Sequence, residues 1–125
     1  MLDHVSIGVR DLAKTKAFYD AVLGTLGYRC LRAESELLGY GADSVQLWIS
    51  PSASPVAPDM QSGLHFCFIA PTRASVDAFH SKGIAAGVQD NGAPGIRPDY
   101  SPGYYAAFVI DPDGYRLEAY CHVSD

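Results

Sequence analysis

HVSIGVRDLAKTKAFYDAV (residues 4–22) and HFCFIAPTRASVDAFHSKG (residues 65–83) are one pattern written twice in the same chain. Laid 61 residues apart, His4 falls on His65, Ala17 on Ala78 and Phe18 on Phe79. Each copy opens on an apolar stretch that reads as a strand and runs on into helical spacing. A second match follows, VQLWI (45–49) over LEAYC (117–121), at an offset of 72 because the second copy carries a longer loop. A repeat of this length in 125 residues is one structural unit used twice.

Outward from that stretch, the first unit predicts a strand over Leu2–Val9 and a helix capped by Asp11 and running to about Leu26, with Gly27 ending it. Three short strands follow, at Tyr28–Leu31, Leu37–Tyr40 and Ser44–Ile49. The second unit predicts a strand over Gly63–Ala70, a helix capped by Thr72 and running to Lys82, with Gly83 beyond its end, and strands at Ile84–Gln89, Tyr104–Ile110 and Tyr115–Cys121. Asp111-Pro112-Asp113-Gly114 reads as a hairpin turn. The Pro- and Ser-rich Ser50–Ser62 links the units, and Asp90–Gly103 reads as a long Gly- and Pro-rich loop. The expected fold is α+β: a single domain over 1–125, built of two βαβββ units (about 1–50 and 62–125) that form a curved mixed sheet with helices on its outer face.

Composition narrows the function classes. Hydrophobic residues are 48% and charged residues 18%, enough apolar material for a core. The net charge of −5, with no Lys/Arg cluster, argues against a nucleic-acid partner. No apolar run reaches the roughly 20 residues of a membrane helix, and the first residues lack a secretory pattern. Cys30, Cys67 and Cys121 are odd in number and widely spaced, so they read as reduced core or pocket-lining residues of a cytoplasmic protein.

Strand alternation then sorts the polar residues. Val5, Ile7 and Val9 must pack on the helices, which turns His4 to the opposite, concave face. Val45, Leu47 and Ile49 likewise leave Gln46 and Trp48 on the concave side, and Leu117, Ala119 and Cys121 leave Glu118 and Tyr120 there. In LHFCFIA both alternating sets are apolar, so only the match to the first copy turns His65 inward. The repeat pairs His4 with His65 and Gln46 with Glu118. Two imidazoles, a carboxylate and an amide oxygen converging near an approximate two-fold axis make a ligand set for a divalent metal ion. His80 and His122 read as structural or solvent-facing.

DHVSIGVRDLAKTKAFYDAVLGTLGY at the start, GLHFCFIA in the middle and AAFVIDPDGYRLEAY at the end together resemble the vicinal oxygen chelate superfamily, which takes in glyoxalase I, methylmalonyl-CoA epimerase, fosfomycin-resistance transferases, extradiol dioxygenases and bleomycin-resistance proteins. The resemblance implies paired βαβββ units and metal ligation by His4, His65 and Glu118, the metal being Zn, Ni, Co, Mn or Fe. Gln46 stands where glyoxalase I-like members often carry a ligating Glu, as it does in epimerase-like members. The expected function is that of a metal-dependent lyase or isomerase of glyoxalase type, acting on a small oxygenated organic substrate through a stabilised enolate or oxyanion, with Glu118 as the candidate catalytic residue and metal-bound water as the other candidate base. The alternatives are a small-molecule-sequestering protein of bleomycin-resistance type and a thiol transferase of fosfomycin-resistance type. Trp48, Tyr100, Tyr104, Tyr105 and Tyr120 are expected to wall the substrate and Arg97 to meet an anionic group. A C2 homodimer is expected.

Overall fold

The computed structural model describes residues 1–56, 59 and 61–122. Its order is β1 (Val5–Val9), α1 (Leu12–Gly24), β2 (Arg29–Glu34), β3 (Leu37–Gly41), β4 (Val45–Pro51), then β5 (Phe66–Ile69), α2 (Arg73–Ala85), β6 (Gln89–Ile96), β7 (Tyr105–Ile110) and β8 (Arg116–Cys121). This is βαβββ twice. The strands form two four-stranded sheets, β1-β4-β3-β2 and β5-β8-β7-β6. In each, the first strand pairs parallel with the last and the other pairs are antiparallel. Part of the expected linker, positions 57, 58 and 60, lies outside the described residues.

Local chemistry sets the helix starts. Asp11 accepts the Lys14 backbone N–H through its side chain. Thr72 and Ser75 form a reciprocal capping box. The second helix runs further than its sequence predicts. Gly83 lies inside it, buried where an added Cβ would come within 3.2 Å of Val109, so this glycine permits close packing rather than ending the helix. Gly87, at φ +87°, makes the left-handed turn that follows the helix end. The strand expected at Ile84–Gln89 is therefore displaced. Much of the expected Asp90–Gly103 loop is β6. Its Gly- and Pro-rich sequence is tolerated because β6 is an edge strand with register shifts between Asp90, Gly92 and Gly95.

One buried cluster contains residues of both units, among them Val9, Phe18, Tyr19, Ile49, Val76, Phe79, Val109 and Leu117. The DPDG turn of the second unit reaches the first. Tyr19 donates its hydroxyl to Asp111 Oδ2 at 2.7 Å, and the Arg10 backbone N–H donates to Asp113 Oδ1 at 3.1 Å. Tyr115 donates its hydroxyl to the Gly8 carbonyl at 2.8 Å. Burial pushes the Asp111 carboxyl and the Tyr19 hydroxyl up from their ordinary ranges.

Candidate metal site

Glu118 is charged by type and only 2% exposed. It sits on β8 between Leu117 and Ala119, both fully buried in the core cluster, so alternation turns Glu118 to the other face of the sheet. A carboxylate so buried must be satisfied by partners. Oε2 accepts the Tyr104 hydroxyl at 2.6 Å, and Oε1 lies 2.9 Å from His65 Nε2. His65 precedes β5, whose Phe66 and Phe68 pack against the core while Cys67 and Ile69 are exposed. The strand that is ambiguous in sequence thus turns His65, Cys67 and Ile69 away from the helices.

The His65 tautomer follows from its second contact. Nδ1 lies 3.1 Å from the Gly63 carbonyl, which can only accept, so Nδ1 carries the proton. A neutral imidazole then presents a lone pair at Nε2 toward a carboxylate oxygen that also presents lone pairs. Two acceptors 2.9 Å apart require a cation between them, a proton or a metal ion. The separation suits metal as well: two ligand atoms at about 2.1 Å from an ion and at right angles to each other lie about 3.0 Å apart. His4 repeats the device. Its Nδ1 faces Asp3 Oδ1 at 2.6 Å, leaving Nε2 free, and such a carboxylate–histidine contact orients metal-ligating imidazoles.

His4, Gln46, His65 and Cys67 line one cleft of about 370 Å³ where the units meet, and Tyr28 closes its edge by donating to the Ile69 carbonyl at 2.7 Å. Glu118 lies behind this wall, joined to it through His65. Only the His65–Glu118 pair is assembled. Among the described residues, no three His, Cys, Asp or Glu side chains gather closely enough to hold an ion. His4 shares the cleft without joining the pair, being carried by the edge of the other sheet.

The ladders revise the equivalence of Gln46 and Glu118. Ser6 pairs with Trp48, whereas Cys67, the repeat partner of Ser6, pairs with Glu118. Superposed by register, Trp48 is the counterpart of Glu118, and Gln46 that of Arg116. Gln46 remains on the cleft side, exposed and near His4.

The aromatic residues divide. Tyr104 stacks on Tyr120 with ring centroids 4.1 Å apart, and Tyr100 meets Tyr104 edge-on at 5.0 Å, so these three form a wall beside Glu118. Burial, then the hydrogen bond to Glu118, pushes the Tyr104 hydroxyl up. Tyr105 belongs to the helix side: it pairs with buried Cys121 and donates to Asp77 Oδ1 of α2 at 2.6 Å. Trp48 lies in the first sheet, with the Arg32 guanidinium 5.9 Å from its ring. Arg97 lies over Phe108 at 5.4 Å and spends two donors on the Gly95 and Ala93 carbonyls. Phe108 also meets His65, at 6.2 Å. It was missed in sequence because every position of AAFVI is apolar. His80 is structural, its Nε2 2.9 Å from Asp90 Oδ1.

Cys67 is exposed as a residue, yet desolvation of its sulfur, reinforced by the Glu118 carboxylate, pushes the thiol up to about 12. A raised thiol stays neutral through pH 8, and only the thiolate is alkylated. Allowing for the greater nucleophilicity of a more basic thiolate, iodoacetamide should label Cys67 of the metal-free protein about a hundredfold more slowly than free cysteine at pH 8. The rate should climb steadily with pH. Peptide mapping by mass spectrometry reads this out, and labelling as fast as free cysteine would contradict it.

With fold and site in place, the chain belongs to the Glyoxalase/Bleomycin resistance protein/Dioxygenase superfamily, whose sequence model matches residues 1–119. It is similar to a glyoxalase/bleomycin resistance protein from Albidiferax ferrireducens, at 34% identity over 95% of this chain and 97% of that one, with a TM-score of 0.83. A glyoxalase-related enzyme from Fulvimarina pelagi shares the fold at 18% identity, covering 97% and 87% of the two chains, TM-score 0.74. So does the fosfomycin resistance protein FosX from Listeria monocytogenes, at 19% identity, 97% and 92% coverage and TM-score 0.72. Among curated proteins, none matches the chain.

Proposed function

We propose that this protein is a metal-dependent lyase or isomerase of glyoxalase type, acting on a small oxygenated organic substrate. The observation that carries the reading is the contact of His65 Nε2 with Glu118 Oε1 at 2.9 Å, an imidazole facing a buried carboxylate at the edge of the cleft. These two residues would hold a divalent ion, with His4 and Gln46 contributing from the far side of the cleft. When bound, the ion supplies positive charge that stabilises an oxyanion or enolate of the substrate. Tyr104, Tyr120 and Phe108 give the substrate an apolar wall and keep water from it. Because Oε2 is engaged by Tyr104, Glu118 would accept a proton only at Oε1, and only when that oxygen is not holding the ion. The three free thiols fit a cytoplasmic protein, and a C2 homodimer fits the exposed Ile69, Leu64 and Leu2 beside the cleft.

Elemental analysis of the purified protein, followed by titration of Zn²⁺, Ni²⁺ and Co²⁺ into the metal-free form, tests the reading. The expected result is about one ion per chain. His65→Ala should abolish tight binding, and His4→Ala should weaken it. Sedimentation of the same samples should give a dimer mass. Turnover of an aldehyde–thiol adduct, lost with the metal and regained on its return, would establish the reaction class. A wild-type protein with no divalent affinity would refute the proposal.

A further inference from the structure

The structure assigns Tyr104 a role apart from walling the substrate: it is a positioning residue that sets how Glu118 meets a metal ion. This rests on the metal reading above. Tyr104 stands immediately before β7, and its hydroxyl donates to Glu118 Oε2 at 2.6 Å. Its ring is held by the stack on Tyr120 at 4.1 Å and by Tyr100 edge-on at 5.0 Å, so the hydroxyl has little freedom to leave. Glu118 is buried and has no solvent to fill a vacant lone pair. With Oε2 committed to a phenol, the carboxylate offers a cation one oxygen, Oε1, the one already aimed at His65 Nε2. The phenol therefore enforces one-oxygen coordination and fixes the carboxylate plane, as outer hydrogen-bond partners do for metal ligands.

The main-chain neighbour provides the control. Tyr105 makes a hydroxyl–carboxylate contact of the same length, 2.6 Å, but on the helix side with Asp77. Tyr104→Phe removes one hydroxyl and keeps the ring stack; it leaves a buried carboxylate oxygen without its donor, so the metal-free variant should melt about 5–10 °C below wild type yet stay folded at the temperature of the titration.

The experiment titrates Co²⁺ into metal-free wild type, Tyr104→Phe and Tyr105→Phe, and records the visible d–d spectrum of each Co²⁺ protein. Tyr104→Phe should bind Co²⁺ about tenfold more weakly and with shifted bands, because Glu118 gains a second free oxygen and a looser plane. Tyr105→Phe should match wild type in both. Wild-type binding with Tyr104→Phe equal in affinity and superimposable in spectrum would overturn this inference alone. So would equal weakening by both variants, which would mark a general structural effect. No Co²⁺ binding in wild type would overturn the metal reading and this inference with it.

Discussion

Glu118→Gln should lower divalent-metal affinity by more than a hundredfold while leaving the metal-free protein folded. The two effects separate because the amide nearly replaces the carboxylate in shape. Tyr104 now donates to the amide oxygen, and the amide NH₂ donates to His65 Nε2, whose lone pair faces it because Nδ1 is held by the Gly63 carbonyl. Every buried polar atom at 118 keeps a partner, so no orphaned group destabilises the fold. What disappears is the negative charge that stabilises a bound cation. Losing an outer hydrogen-bond partner of a metal ligand typically costs 10–100-fold in affinity, and losing the charged ligand itself should exceed that. Calorimetric titration and thermal melting of the same samples measure both. Unchanged affinity would place the metal elsewhere, whereas a collapsed melting curve would show that position 118 is chiefly structural.

Phe79→Ala should have the largest effect on stability. Phe79 is 0% exposed and belongs to the same buried cluster as Val109 of β7 and Leu117 and Ala119 of β8. Truncating a buried Phe to Ala typically costs about 3–5 kcal/mol, part lost transfer energy and part cavity. Against a total of roughly 5–15 kcal/mol for a domain, this should lower Tm by about 10–20 °C. The change should also reach the site. Leu117 and Ala119 flank Glu118 and belong to the same buried cluster, so their packing holds the strand that presents the carboxylate. Metal affinity should fall several-fold through that packing. Circular dichroism melting decides the first part, and a Tm loss below about 3 °C would mean that the cavity collapses without cost.

Phe18 and Phe79 are also where the chain is most legible, as equivalent residues of the repeat. That repeat, with strand alternation, determined the two βαβββ units, the helix caps at Asp11 and Thr72, the DPDG turn, and the inward faces of His65 and Glu118. These are local properties: a period of two assigns a side chain to a face, and a capping side chain satisfies N–H groups within one turn. Tertiary structure decided everything that depends on what lies opposite. Alternation cannot say which residue of a neighbouring strand stands beside Cys67, and the ladder made it Glu118 in the second unit while placing Trp48, not Gln46, at the matching place in the first. The Gly- and Pro-rich 89–96 became an edge strand because the pairing partner β7 was available to it. Tyr104 and Tyr105 are adjacent and chemically identical, and only the pleat of β7 against its neighbours sends one hydroxyl to Glu118 and the other to Asp77. A hydrogen bond joins groups by distance in space, so its partner is chosen when the sheets and helices close around each other.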